Sequence, residues 1–259
     1  MNTLIIYLRY LFEYLKFGDF ISVIASFRYV VSRKSHKSDR IIRTSIGTFF
    51  CRKNTNDFQF ANYAYEWNVK KYILDHHHDY SVFIDGGACI GEYCIMLANN
   101  GMRCYAFEPV KENYAVLTKN LELNNLTSEI KTFPFGLGDK DELVNFVFNQ
   151  VNTGASHKTT ENITGDCFAV IRSFDSILPD LGINTDDRIL FKLDVEGMET
   201  EVLRGATSFI KNYPNITFVI EDKLSGKDPI KETLSSIAHF EFGKVDEFNI
   251  FAKKINQIL

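Results

Sequence analysis

Apolar positions along the chain change their spacing three times, and each change marks a different kind of element. In residues 1–33, Leu4, Leu8, Leu11, Phe12 and Leu15 recur at helical spacing, with Arg9, Glu13 and Lys16 on the opposite side. Gly18 then acts as a stop and Asp19 as the N-cap of a second apolar helix, Phe20 to Val31. Ile41 to Asp57 reads as a short β-like stretch, and Asn62 to Leu74 as a helix. From Tyr80 onward, short apolar runs of strand length alternate with helix-spaced segments, the signature of a parallel sheet with helices on both faces. The runs at 82–84, 103–108, 129–135, 188–194 and 216–221 are the expected strands, with a helix from Pro109 to Leu123 and another beginning near Gly197. Two further β-like runs, 142–148 and 166–171, flank a polar loop from Asn149 to Gly165. At the end, Phe240–Val245 and Phe248–Lys253 lie too close together for a crossover helix and must form an antiparallel hairpin. The pattern predicts an α/β fold: a Rossmann-like, doubly wound, mostly parallel sheet over residues 80–259 with a C-terminal hairpin, preceded by a helical cap region over residues 1–79.

The densest chemistry lies where the first core strand ends. Val82-Phe83-Ile84 stops on an acid, Asp85, and runs into a glycine-spaced turn, Gly86-Gly87-Ala88-Cys89-Ile90-Gly91, before a helix from Glu92. Gly87 and Gly91 can take backbone angles that side chains forbid and allow a ligand to approach the main chain. Such a junction binds nucleotide-like ligands at the helix N-terminus. The turn reads D-x-G-x-x-x-G rather than G-x-G-x-x-G, which argues against a dinucleotide. Asp85 would repel a pyrophosphate but suits a zwitterionic amino-acid group, directly or through water. The next strand also ends on an acid, Glu108, 23 positions later, where a carboxylate can accept from both ribose hydroxyls. An amino acid, a ribose and a base together describe S-adenosylmethionine.

Composition narrows the setting. The 259 residues carry a formal net charge of −4, which gives no global attraction to nucleic acid. Five cysteines without C-x-x-C spacing fit a reduced, cytoplasmic chain. His76-His77-His78 cannot present three rings to one ion from a helix and reads as a solvated turn. Charges at 9, 13, 16 and 19 interrupt the N-terminal apolar run, so neither a transmembrane span nor a signal peptide is expected. A basic stretch follows at Arg33, Lys34, Lys37, Arg40 and Arg43. Residues 1–43 therefore have two readings: helices packed on the domain or on a second subunit of a homodimer, or a peripheral contact with the inner face of an anionic membrane. The first is preferred, because the alternating core looks complete from Tyr80 and the apolar helices need cover.

Ile84-Asp85-Gly86-Gly87-Ala88-Cys89-Ile90-Gly91, Ala106-Phe107-Glu108-Pro109 and Phe191-Lys192-Leu193-Asp194-Val195-Glu196-Gly197-Met198-Glu199, with Leu203-Arg204-Gly205-Ala206, together resemble the FkbM family of methyltransferases. The likeness covers about residues 50 to 253, and the D-V-E-G-x-E block is its most specific part. Cys89 stands where the family usually has Asn. The resemblance implies a class I methyltransferase fold and O-methylation of sugar, glycan or secondary-metabolite hydroxyls. It implies cofactor contacts from Asp85, Gly86, Gly87, Gly91, Glu108, Pro109, Gly138, Asp139 and Asp194. Ser173-Phe174-Asp175 resembles a short motif before the fourth strand and Thr55-Asn56-Asp57 an upstream one; Thr55, Asp57 and Glu221 are the candidates for contact with the acceptor.

Methyl transfer to an alcohol needs alignment and a base that takes the hydroxyl proton. Asp194, Glu196, Glu221 and Asp222 are the acids at strand ends, and His157 in the polar loop is a further candidate. Asp194 and Glu196 have an alternative as caps of the following helix, and Glu199 reads as structural. No residue is assigned to a metal, although Asp194 with Glu221-Asp222 has the oxygen donors that Mg²⁺ prefers. Two other functions stay open at this point: an oxidoreductase using NAD or a nucleotide-sugar on the same sheet, and a scaffold that has lost catalysis.

Overall fold

The computed structural model describes residues 3–147, 152–155, 157–158 and 167–255. In chain order the elements are α1 (Thr3–Lys16), α2 (Phe20–Ser32), β1 (Arg40–Thr44), β2 (Gly47–Cys51), α3 (Asp57–Phe60), α4 (Trp67–His76), β3 (Val82–Gly86), α5 (Glu92–Ala98), β4 (Arg103–Phe107), α6 (Lys111–Leu123), β5 (Ile130–Phe133) and β6 (Gly136–Gly138). They continue as β7 (Glu142–Val147), β8 (His157–Lys158), β9 (Cys167–Ser173), α7 (Phe174–Leu181), β10 (Ile189–Leu193), α8 (Glu199–Gly205), α9 (Thr207–Asn212), β11 (Ile216–Glu221), α10 (Lys227–Ile237), β12 (Phe240–Lys244) and β13 (Asn249–Lys254). The main sheet has seven strands in the order β12-β13-β11-β10-β3-β4-β5. Strands β11, β10, β3, β4 and β5 are parallel, whereas β13 runs antiparallel to both β11 and β12. The doubly wound sheet and its C-terminal hairpin are thus as the sequence pattern predicts. The strand order reverses about β3, so a crevice opens at the carboxyl ends of β3, β4 and β10.

The two β-like runs around the polar loop build a separate four-stranded sheet, β6-β9-β7-β8. Most of the loop from Asn149 to Gly165 lies outside the described residues.

Three local expectations are corrected. The helix expected from Asn62 begins only at Trp67. Asn62 Oδ1 accepts from Ala64 N at 2.8 Å, and Lys70 Nζ donates to the carbonyls of Phe60, Asn62 and Tyr65, so this backbone is committed to turns. The third strand is Ile130–Phe133, shorter than the apolar run that suggested it. The helix expected near Gly197 begins at Glu199, because Glu196 (φ 50°) and Gly197 (φ 98°) are both left-handed.

Nor is the core complete from Tyr80. Tyr14, Tyr29, Ile42, Phe49 and Phe58 join Phe83, Ile90, Tyr93 and Leu117 in one continuous buried cluster. The β1–β2 hairpin is fastened to α6 by asparagines: Asn120 Oδ1 accepts from Phe50 N at 2.7 Å and Asn124 Oδ1 from Thr48 N at 2.9 Å. The cap region therefore supplies part of the wall behind the crevice.

Candidate active site

The glycine turn after β3 is shaped by the chain itself. Gly87 sits at φ +91°, and a Cβ there would lie 2.0 Å from the carbonyl oxygen of Asp194. The close approach inferred for a ligand is made instead by the backbone just after β10, at Asp194. The next turn residue, Cys89, is left-handed at φ 45° and donates its N–H to Glu108 Oε2 at 2.9 Å. Glu108 Oε1 accepts from Val110 N at 2.8 Å. One carboxyl group thus clamps the β3 turn to the start of α6, with a further hydrogen bond from the Asn113 side chain. Burial pushes its pKa up to about 8, although the two N–H donors work in the opposite direction.

Glu108 faces a narrow cleft lined also by Pro109, Val110 and Leu137. Its roof is the segment around Thr153, held by residues distant in sequence. Thr153 N donates to Asn56 Oδ1 at 3.0 Å, Thr153 Oγ1 to Asp57 Oδ1 at 2.9 Å, and Asn113 Nδ2 to Thr153 O at 3.0 Å. Asp57 is in turn paired with Arg52 at 2.8 Å. Thr55 and Asp57 are buried in this brace, with Thr55 Oγ1 donating to Arg52 O. Both sit behind the roof, and neither lines a cleft.

A second cleft, of about 630 Å³, adjoins the first and is strongly polar, with Tyr65, Glu66, Glu92, Lys192, Glu221 and Lys223 on its walls. Gly87, Cys89, Gly154, Asp194 and Glu196 line both clefts. Three of the non-glycine residues with left-handed backbone, Glu66, Cys89 and Glu196, also lie here, a concentration of strain of the kind found at working sites.

Charge is arranged around Lys192. It comes from the middle of β10, is buried, and donates to Asp194 Oδ2 at 2.9 Å. Burial opposes its charge, but Asp194 and Asp85 outweigh burial and hold its pKa above the ordinary value. Asp85, below the turn, is pushed up to about 6 by burial, and its Oδ1 has no hydrogen-bond partner among the described residues. Glu92 Oε2 is likewise without a partner among those residues, and burial raises Glu92 to about 8. Glu92 lines the second cleft, whereas Asp85 is buried and lines neither. Burial, then the charge of Asp194, raises Glu196 to about 7 and Glu221 to about 8.

The capping alternative for Asp194 and Glu196 is replaced by Glu199, whose Oε1 accepts from Val195 N at 3.0 Å and Gly197 N at 3.2 Å. Gly86 lies in β3, beneath the cleft, and Gly91 at φ +85° starts α5 against Leu117. Gly138 packs on Ile171, and its carbonyl meets Gly205, so it turns away from the cleft that Gly136 and Leu137 line. Asp139 is exposed and outside both clefts. Of His157 only the backbone, in β8, is among what is described. Among the described residues, no group of three or more His, Cys, Asp or Glu is placed to hold a metal ion.

Glu66, Glu92, Asn113, Thr153 and Lys192 were not singled out from the sequence. Only Lys192 carried a signal: a charge inside the apolar run Ile189–Leu193.

The family model described as "Methyltransferase FkbM domain" matches residues 85–248. A hexuronic acid methyltransferase, AglP, of Haloferax volcanii is 25% identical over 171 residues, covering 63% of this chain and 64% of AglP. The match spans less than two thirds of that relative. Among solved structures, methyltransferase FkbM from Methylobacillus flagellatus KT superposes with a TM-score of 0.48 at 19% identity, over 68% of this chain and 44% of that one. The Pyrococcus abyssi tRNA (uracil-54, C5)-methyltransferase, solved with S-adenosyl-L-homocysteine, gives a TM-score of 0.44 at 11% identity, over 83% of this chain and 43% of that one.

Proposed function

Because the chain belongs to the methyltransferase FkbM domain family, we propose that it transfers a methyl group from S-adenosylmethionine to a hydroxyl of a sugar or glycan, and that the acceptor unit is a uronic acid. The observation that carries this reading is the junction of two clefts at Asp194 and Glu196, one bounded by Glu108 and the other rich in charge. Glu108, Val110 and Leu137 would hold the nucleoside, while Asp85 and Glu92 would accept from the amino-acid ammonium. When bound, the cofactor supplies an electrophilic methyl group. The chain's own residues do the rest. The ion pair with Lys192 fixes Asp194 as a charged wall at the junction. Glu196, raised to about 7, is poised to take the acceptor's hydroxyl proton near neutral pH. Glu221 adds a second raised carboxyl nearby and helps to order the acceptor. Lys223 gives the acceptor wall a cation that suits a sugar carboxylate, in keeping with the hexuronic acid specificity in the name of AglP.

The test is transfer of labelled methyl from S-adenosylmethionine to uronic-acid glycosides and to their neutral counterparts. Label on the uronic-acid glycosides that survives mild alkali is a methyl ether and supports the proposal. Alkali-labile label would place the methyl on the carboxylate, and equal transfer to neutral sugars would remove the uronic-acid preference.

A further inference from the structure

The two N-terminal helices are inside-out. Their inward faces carry polar groups that are satisfied by the domain: Glu13 accepts from Ser45, Tyr14 donates to Phe58 O at 2.6 Å, and Asp19 pairs with Arg40 at 2.9 Å. Their outward faces carry Leu8, Phe12 and Leu15 on α1, and Ile24, Phe27 and Val31 on α2, each 47% to 88% exposed. The spacing is helical on both, so the exposed side chains form continuous apolar stripes. Between the helices runs an apolar groove lined by Tyr7, Leu11, Phe27 and Val30. An apolar surface of this extent on a folded chain marks a contact with something other than water.

Charge identifies the occupant. Residues 1–43 hold eight Lys and Arg against three acids, a formal +5 within a chain of net −4, which leaves −9 on the remainder. The acids Glu13 and Asp19 are buried and bonded, whereas Lys34 and Lys37, just after α2, are exposed. A second copy on this face would bring two such positive segments together. A bilayer surface with anionic headgroups meets both the apolar stripes and the charge. No described helix is long and apolar enough to cross a membrane, so the helices would lie in the plane of the interface. We propose that α1 and α2 form an anchor that seats the protein on an anionic lipid surface. The short helix α3 separates this anchor from the site: Gln59 lines the apolar groove and Phe60 the acceptor cleft. Seated this way, the cleft opens close to the bilayer.

The test is flotation of the full chain with phosphatidylcholine vesicles, with and without phosphatidylglycerol. Wild-type protein should float with the anionic vesicles and stay behind with the neutral ones. Phe12→Asp with Phe27→Asp should abolish flotation while leaving the thermal melt in place, since both rings are exposed. Lys34→Ala with Lys37→Ala should weaken vesicle binding about 25-fold, roughly fivefold for each basic side chain near the surface. Wild-type protein that fails to float with anionic vesicles overturns the proposal. If it is then a dimer by light scattering that the Phe12 and Phe27 variants dissociate, the face belongs to a second copy.

Discussion

Gly87 and Gly101 offer a matched pair of substitutions that isolates one contact in the site. Both glycines are left-handed, at φ +91° and +84°. A Cβ on Gly101 meets nothing within 4 Å, whereas one on Gly87 would lie 2.0 Å from the Asp194 carbonyl oxygen. Gly101→Ala therefore bears only the left-handed strain of a side chain, about 1–2 kcal/mol. Gly87→Ala bears the same strain and must also push the β10 end off the glycine turn, an overpacking cost of a further 1–3 kcal/mol or so. For a chain of this size each kcal/mol lowers the melting temperature by roughly 2–4 °C. The Gly87 variant should thus melt about 2–12 °C below the Gly101 variant, and its turnover should fall, because Asp194 and Glu196 move with the displaced strand end. The assay is thermal denaturation of both variants beside wild type, followed by methyl-transfer rates. Equal melting temperatures for the two would refute the claim that the β3 turn and the Asp194 loop are locked together.

Two other outcomes follow from the carboxyl groups. Glu196→Gln should lower kcat by roughly 10²–10⁴, the range for a lost general base, and remove the rise of activity through about pH 7; a normal pH profile in steady-state assays would exclude Glu196 as the base. Burial raises Glu92, Glu108 and Glu221 from an ordinary 4.5 to about 8, so the folded chain holds protons there that the unfolded chain has released. Stability from these groups is full below about 4.5 and is lost as pH rises through about 8. His36, lowered by burial from 6.5 to about 4, works in the opposite sense only below its ordinary value. Melts of the ligand-free protein should accordingly decline between about pH 6.5 and about pH 8, and Glu92→Gln should flatten that decline; a constant melting temperature would contradict the burial of these carboxyls.

The parts of the site that were legible are those set by local sequence. An apolar run ending on Asp85, glycines at the turn and Glu108 at the next strand end are all properties of adjacent residues. What escaped depends on chain crossings. The roof over the cleft beside Glu108 is made by Thr153 bonding to Asp57, 96 positions away, and nothing local announces it. The same brace explains why Thr55 and Asp57 matched a motif yet lie behind the site. The start of α8 was misplaced because spacing does not reveal that Glu199 turns back to bond Val195 and Gly197. Orientation of the N-terminal helices was also illegible: helical periodicity shows that a face is apolar, and only the packing of Tyr14 and Tyr29 shows that the apolar face points outward.

The account turns on Glu108 bounding a nucleoside site, and the most direct measurement is calorimetric titration of S-adenosylhomocysteine into wild-type protein and Glu108→Gln. Above about pH 8, where Glu108 is ionised, wild type should bind one equivalent per chain, and the variant should bind about 10- to 150-fold more weakly, the loss of a charge-assisted hydrogen bond worth about 1.5–3 kcal/mol. No heat of binding to the wild-type protein, or equal affinity in the two, would contradict it.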